Sequence, residues 1–244
     1  MAELVVIIGA GPGLGRAIGA AFVGEGADVV LLARDEVNAR ALARDISAAD
    51  YISADASDEA ALRTAFGTIR DRHGTPDVIV HNPSIAFEAP PTGTPLSALL
   101  DGFRLAAGSL LVAIQEVAPA MRERGGGTII VTGSGAGLTG STWSASLATQ
   151  KAAVRNLAFS AAAELEPDGI RVATITIKGV LGTPGFEVDR IAPEYVRLHI
   201  LSQELRNSQK SGDAESASPE STSGWADTAS GVWQTEIVWP TPAD

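Results

Sequence analysis

The stretch LVVIIGAGPGLGRAIGAAFVGEGADVVLLA at 4–33 constrains the fold more than any other part of the chain. A Val- and Ile-rich run turns through Gly9, Gly11, Gly13 and Gly15, then passes into a helix-forming stretch that reaches about Glu25. A second apolar run, DVVLLA, follows at 28–33. Neither run alternates apolar with polar, so both faces of each strand need a cover, as in a parallel sheet between helix layers. A glycine turn between strand and helix bares backbone N–H groups at a helix N-terminus, where the helix dipole favours an anion. In this strand–turn–helix–strand context the pattern reads as a pyrophosphate cradle for a dinucleotide, with Gly9, Gly11, Gly13, Leu14 and Gly15 as contacts.

The alternation continues. Further strands are predicted at 51–54, 77–81, 128–133 and 171–177, and helices near 36–47, 58–72, 97–123 and 143–166. Ser57, followed by Asp58 and Glu59, reads as a helix N-cap with acidic residues in the first turn. Pro167-Asp168-Gly169 stops the Ala-rich helix before the next strand. VWQTEIVW at 232–239 reads as a final strand. The sum is one Rossmann-type, doubly wound α/β domain, a seven-stranded parallel sheet with helices on both faces. It is assigned to 1–206 plus 232–244. The intervening 207–231, rich in Ser, Gly and acidic residues, reads as a flexible excursion with too little apolar surface to order itself.

Composition removes several chemistries. The chain has no cysteine, so disulfides, thiolate zinc sites and cysteine nucleophiles are excluded. The spacing of His73, His81 and His199 suggests no metal site. A formal net charge of −11 argues against nucleic-acid and anionic-membrane partners. The N-terminal run carries Glu3 and lacks a signal-peptide pattern, and no segment approaches the roughly 20 apolar residues needed to span a bilayer, so the expected compartment is the cytoplasm.

The second strand ends in Leu32-Ala33-Arg34-Asp35. A carboxylate at this tip favours the ribose hydroxyls of NAD, and an arginine favours the 2′-phosphate of NADP. Arg34 points to NADP, and Asp35 keeps NAD open.

With these residues in place, the chain resembles the short-chain dehydrogenase/reductase family over nearly its whole length except about 207–231. The Gly9-x-x-x-Gly13-x-Gly15 spacing matches the family's cofactor turn. Asp55 and the adjacent Ala56, in SADASDEAAL, fall where the family meets the adenine. HNPS at 81–84 stands in place of the family's Asn-Asn-Ala-Gly, with Asn82 the matching residue. TIIVTGSGAGLTG at 128–140 resembles the strand and loop carrying the family's catalytic serine, here Ser134. GTP at 182–184 resembles the segment that holds the nicotinamide carboxamide, which implicates Thr183 with the backbone of Gly179 and Val180.

The resemblance also breaks. The family places a tyrosine four residues before its catalytic lysine. The lysine is Lys151, and the earlier position is Leu147. The family's helix asparagine falls near Ala106. Ser134 and Lys151 therefore remain as catalytic candidates, with Lys151 also binding the nicotinamide ribose, while the proton donor and the relay residue are gone. Loss of a general acid costs about 10²–10⁴ in rate. Water or a desolvated Lys151 are alternative proton sources. Leu138, Trp143 and Leu147 predict an apolar substrate pocket. RIAPEYVRLH at 190–199 resembles the family's mobile substrate-loop helix, with Tyr195 on its surface or reaching the site. A subset of the family shares the GAGPGLG turn, the missing tyrosine and a W-x-x-E segment, here Trp233 to Glu236. The expected function is NAD(P)-dependent oxidation or reduction of a small alcohol or carbonyl compound, in a homodimer or homotetramer. The alternatives are a cofactor-binding protein without turnover and a non-redox catalyst on the same scaffold.

Overall fold

A computed structural model of the chain describes residues 2–211, 226–227, 232–233 and 236–239. The elements run β1 (Leu4–Ile8), α1 (Leu14–Gly24), β2 (Asp28–Ala33), α2 (Glu36–Ile46), β3 (Asp50–Ser53), α3 (Glu59–His73), β4 (Val78–His81) and α4 (Leu96–Phe103). They continue as α5 (Ser109–Glu123), β5 (Gly127–Ser134), α6 (Ala145–Leu165), β6 (Ile170–Ile177), α7 (Val188–Ser211), β7 (Ala226–Asp227), β8 (Val232–Trp233) and β9 (Glu236–Trp239). Seven strands form one parallel sheet in the order β3-β2-β1-β4-β5-β6-β9. The chain winds outward from β1 to β3, returns, and winds the other way from β4. A crevice therefore opens between the carboxyl ends of β1 and β4, the place where ligands bind in open α/β sheets.

The unbroken apolar runs find cover on both faces. On one side Leu62 and Phe66 of α3, Leu110 and Val117 of α5, and Val154 and Leu165 of α6 pack on Val6, Ile8 and Ile129. On the other, Ile18 and Phe22 of α1, Ile46 of α2, and Ile191 and Leu198 of α7 pack on Val5, Ile7 and Ile130. Each buried Val, Leu, Ile or Phe side chain contributes about 1.5–3 kcal/mol. This two-sided burial is the main force holding the sheet.

Several boundaries differ from expectation. The predicted helix at 97–123 is interrupted by a π-helical segment, Arg104–Gly108, between α4 and α5. That whole helical run, Leu96–Glu123, is long and apolar enough to cross a membrane by length and composition, contrary to the sequence-based expectation. It packs instead as a core helix through Ala106, Leu110, Ala113 and Val117. Asp58, not Ser57, caps α3, accepting the Ala61 N–H at 3.1 Å. Residues 190–199 are not a loop helix over the site. They belong to α7, which packs on α1 through Ile191, Ala192, Tyr195 and Val196. Tyr195 is fully buried, so it is neither a surface residue nor part of a lid. The helix runs on to Ser211, which corrects the start of the proposed excursion at 207. Residues 226–227 and 232–233 pair antiparallel, so the last sheet strand is only Glu236–Trp239. The remainder of the proposed excursion lies outside the described residues.

The final strand is fixed by charge. Glu236 accepts from Arg155 Nε at 2.8 Å and Nη2 at 2.5 Å, and from the Thr176 hydroxyl at 2.7 Å. Arg155 also lies 4.3 Å above the Phe159 ring. Burial pushes the Glu236 carboxyl up, but Arg155 and Thr176 together outweigh it and hold it below its ordinary value. A depressed carboxylate contributes stability above its unfolded pKa of about 4.3 and loses it as pH falls through the lower folded value. Replacing Glu236 by Ala is expected to cost about 1–3 kcal/mol at pH 7, because it leaves Arg155 and Thr176 without their acceptor. Urea unfolding at pH 7 and pH 3 should show that deficit shrinking at the lower pH. An equal deficit at both would mean that packing, not charge, holds β9.

Candidate active site

At the end of β1, Gly9 has φ +77°, and a Cβ there would lie 2.8 Å from the Pro83 backbone nitrogen. Only glycine meets both demands. A Cβ on Gly15 would come within 3.0 Å of Ala10 Cα, so α1 starts pressed against the turn. Gly11 and Gly13 face open space. Gly13 is the N-cap of α1, no side chain caps that helix, and its first turn carries no acidic residue. An uncapped helix start beneath two bare glycine faces fits a pyrophosphate.

From this turn a cleft of about 570 Å³ runs along the carboxyl ends of the strands. It is lined at the turn by Gly9, Gly11, Leu14 and Gly15, at one end by Arg34, Asp55 and Ala56, and at the other by Asn82, Ser134, Leu147, Lys151 and Gly179. The sequence reading therefore recovers most of the lining. Gly13, Val180 and Thr183 are not part of the wall. Thr183 is exposed and spends its hydroxyl on the Val180 carbonyl at 2.7 Å. Leu138 and Trp143 are exposed and are not among the residues that line the cleft.

The two residues at the tip of β2 have separate tasks. The Asp35 carboxylate accepts the Asn38 N–H at 2.8 Å and caps α2. Arg34 is exposed and lines the cleft. Asp55 accepts the Ser57 hydroxyl at 2.7 Å and the Ser57 N–H at 2.9 Å. Those two bonds, aided by the Arg34 charge and opposed by partial burial, hold its carboxyl below the ordinary range. This end thus presents one cation beside a fixed anion.

The other end is mostly apolar. Ile85, Leu105, Leu147 and Leu181 line it with Ser84, Ser134 and Lys151. Ser134 ends β5 and accepts the Ala136 N–H at 3.2 Å, capping a short turn at Gly135–Gly137. That turn is pressed onto α6, since a Cβ on Gly137 would sit 2.7 Å from the Lys151 carbonyl carbon. Lys151 is 5% exposed, and its Nζ donates to the Thr132 carbonyl at 2.7 Å. No ion pair to it is found among the described residues, and burial alone pushes its pKa down to about 8. Leu147 stands one turn earlier on the same face. Tyr195 does not replace the missing phenol. Its hydroxyl is spent on Thr132 Oγ1 at 2.8 Å, and burial pushes its pKa up.

Ala106 lies buried in the π-helical segment. Close by, Ser109 Oγ donates to the Leu105 carbonyl at 2.5 Å and accepts from His81 Nε2 at 2.7 Å. With the serine proton committed to a carbonyl, the shared proton between them belongs to His81. Burial, aided by the Lys151 charge, lowers the His81 pKa to about 3, so it is a neutral packing residue. The sequence reading missed the strap after β4. Gln150 donates to the Ile85 carbonyl, Ser146 Oγ accepts the Phe87 N–H at 3.2 Å, and Ser144 donates to the Phe87 carbonyl at 2.8 Å. The signal was available: Ser144, Ser146 and Gln150 are polar residues on the inner face of an otherwise Ala-rich helix start.

The ionisable groups among the described lining residues are Arg34, Asp55 and Lys151. The first two stand at the β2–β3 end. Lys151 therefore stands alone at the apolar end.

Comparison with known proteins agrees with this geometry. The chain is 32% identical over 189 residues to an L-fucose dehydrogenase of Mus musculus, covering 76% of this chain and 67% of the relative. It is 33% identical over 198 residues to a sorbitol dehydrogenase of Cereibacter sphaeroides, covering 80% and 77%. Among solved structures it is similar to a metagenomic short-chain oxidoreductase in complex with NADP, with TM-score 0.75, 27% identity and coverage of 81% and 90%. It is also similar to L-sorbose reductase from Gluconobacter frateurii complexed with NADPH and L-sorbose, with TM-score 0.70, 26% identity and coverage of 75% and 71%. The family model for short chain dehydrogenases matches residues 3–190, and with the glycine cradle, the Ser134–Lys151 cleft and the sheet order already in place, this chain belongs to the short chain dehydrogenase family.

Proposed function

We propose that the protein is an NADPH-dependent reductase of apolar ketones or aldehydes in which Lys151 supplies the proton that family members take from tyrosine. The observation that carries this reading is the isolation of Lys151 as the ionisable group at the apolar end of the cleft. NADPH is favoured over NADH because Asp35 is committed to capping α2 while Arg34 lines the cleft as a cation for a 2′-phosphate. The solved relatives with NADP or NADPH support the same choice.

Bound NADPH supplies a hydride to the carbonyl carbon. Ser134 supplies a hydroxyl that donates to the carbonyl oxygen, and Lys151 supplies the proton. A donor with a pKa of about 8 is mostly protonated at pH 7 and close enough to the working pH to give its proton up. The relatives named for fucose, sorbitol and sorbose act on compounds studded with hydroxyl groups. Ile85, Leu105, Leu147 and Leu181 offer such groups no partners, so the preferred substrate here is hydrocarbon-rich. Phe87, Leu138, Trp143 and Val180, exposed beside the cleft, extend that apolar surface. Leu96, Leu100 and Phe103 are also exposed, at helical spacing on α4, with Leu111 on α5. Such a face is suited to a second copy of the chain, in a homodimer or homotetramer.

Fluorescence titration with NADPH and NADH tests the cofactor half. NADPH is expected to bind in the micromolar range and more tightly than NADH. Replacing Gly11, which lines the cleft and whose Cβ would meet no protein atom within 4 Å, by Val should abolish binding. No binding of either dinucleotide at about 1 mM, a free energy of only about −4 kcal/mol, would overturn the assignment.

Leu147→Tyr tests the proton half. A phenol one turn before Lys151 faces the same wall, so NADPH-dependent reduction of an activated aryl ketone should rise at least about tenfold. The gain should stop short of the full 10²–10⁴, since Ala106 leaves the relay position empty of a polar group. No gain with NADPH bound would show that the substrate side has left carbonyl reduction behind.

A further inference from the structure

We infer that the Lys151 amine is also a carbonyl-capturing nucleophile, forming an imine with small apolar aldehydes and ketones that enter the cleft. This goes beyond hydride transfer and rests on the same cleft, but not on a bound dinucleotide. Four observations converge on it. Lys151 lines the cleft while being only 5% exposed, so the cleft is its route to a ligand. Its described partner is a neutral carbonyl, that of Thr132 at 2.7 Å, and not a carboxylate that would hold it as an ammonium. The adjoining walls, Leu147 and Leu105, are apolar and offer nothing that ties up the amine lone pair. Lysine is also rare here. The chain has three, Lys151, Lys178 and Lys210, against fifteen arginines, so its cations are almost all guanidinium groups that cannot do amine chemistry.

Desolvation supports the same conclusion. With a pKa of about 8, half of Lys151 is neutral at pH 8. An ordinary lysine, with a pKa of about 10.4, is under about 1% neutral there. Buried lysines of this kind serve as imine-forming residues. In the step itself, the Lys151 nitrogen bonds to the carbonyl carbon while the C=O π pair moves to oxygen. The two N–H protons of the amine end on that oxygen, which leaves as water. The C=N bond that remains is hydrolysed by the reverse path. No oxidant, reductant or metal is consumed.

The test is reductive trapping. The full chain is incubated with 3-phenylpropanal and cyanoborohydride, digested, and the three lysine-containing peptides are compared by mass. Lys151 should be labelled at least about tenfold faster than Lys178 or Lys210 at pH 8, with a rate that saturates in aldehyde, and that rate should fall about fiftyfold at pH 6 as the amine protonates. The described ionisable neighbour facing it from β4 is His81, which is neutral across this range, so the pH dependence belongs to Lys151. Leu147→Glu places a carboxylate one turn away and should cut labelling of Lys151 at least fivefold. If that variant does not fold, Lys151→Arg keeps the charge and should remove the fast adduct from the digest. Labelling of Lys151 no faster than Lys178, or linear in aldehyde without saturation, would overturn the inference. NADPH titration of the same preparation separates the two readings. Labelling without NADPH binding keeps the nucleophile and discards the reductase, and NADPH binding without selective labelling does the reverse.

Discussion

Between the ends of β1 and β4, Gly9 lies at φ +77° against the Pro83 backbone, and Asn82 Nδ2 donates to the Gly9 carbonyl at 3.0 Å. The Asn82 N–H meets the Ile8 carbonyl, also at 3.0 Å. These contacts bring together the two strands on which the chain reverses its winding, and both walls of the cleft start from them. The glycine turn and α1 extend from one side. On the other lie the strap from Ser84 to Ala89 and, tied to it by Ser144, Ser146 and Gln150, the N-terminal turns of α6. Lys151 is on the turn of α6 that this strap secures, so the same geometry that closes the sheet also sets the reactive end of the site.

Lys151 sits in that place at a cost. A lysine whose pKa falls from 10.5 to about 8 binds its proton less well folded than unfolded. Below pH 8 the buried ammonium destabilises the fold by about 3 kcal/mol, and that deficit fades as pH rises from 8 toward 10.5. Nothing in the packing of α6 calls for a cation. A costly buried amine without a counter-ion is retained where its chemistry is used, as stability is often given up at functional sites.

Much of this was legible in the chain itself. The strands β1, β2, β4, β5 and β6 are short apolar runs with both faces covered, and the turn from Gly9 to Gly15 has one structural solution in that context. Arg34, Asp55, Asn82, Ser134, Leu147 and Lys151 all line the cleft, and each sits at a strand end or one helical turn from another marker. What escaped was set by tertiary contact. The π-helical segment at Arg104–Gly108 reads as ordinary helix in the sequence, and the His81–Ser109 bond beside it joins β4 to α5 across 28 positions. Tyr195 reads as a surface or lid residue because its true partner, Thr132, lies 63 positions away. Adjacent in sequence, Arg34 and Asp35 differ in task only through the fold, where Asp35 caps α2 and Arg34 lines the cleft.

The central claim is that one lysine, desolvated and without a carboxylate partner among the described residues, is the reactive group of a dinucleotide cleft. With three lysines in the chain, ¹³Cε NMR titration of lysine-labelled protein reads it directly. One signal should titrate near pH 8, vanish in Lys151→Met, and be the one perturbed by NADPH. No signal titrating near pH 8, with none moved by NADPH, would contradict the account.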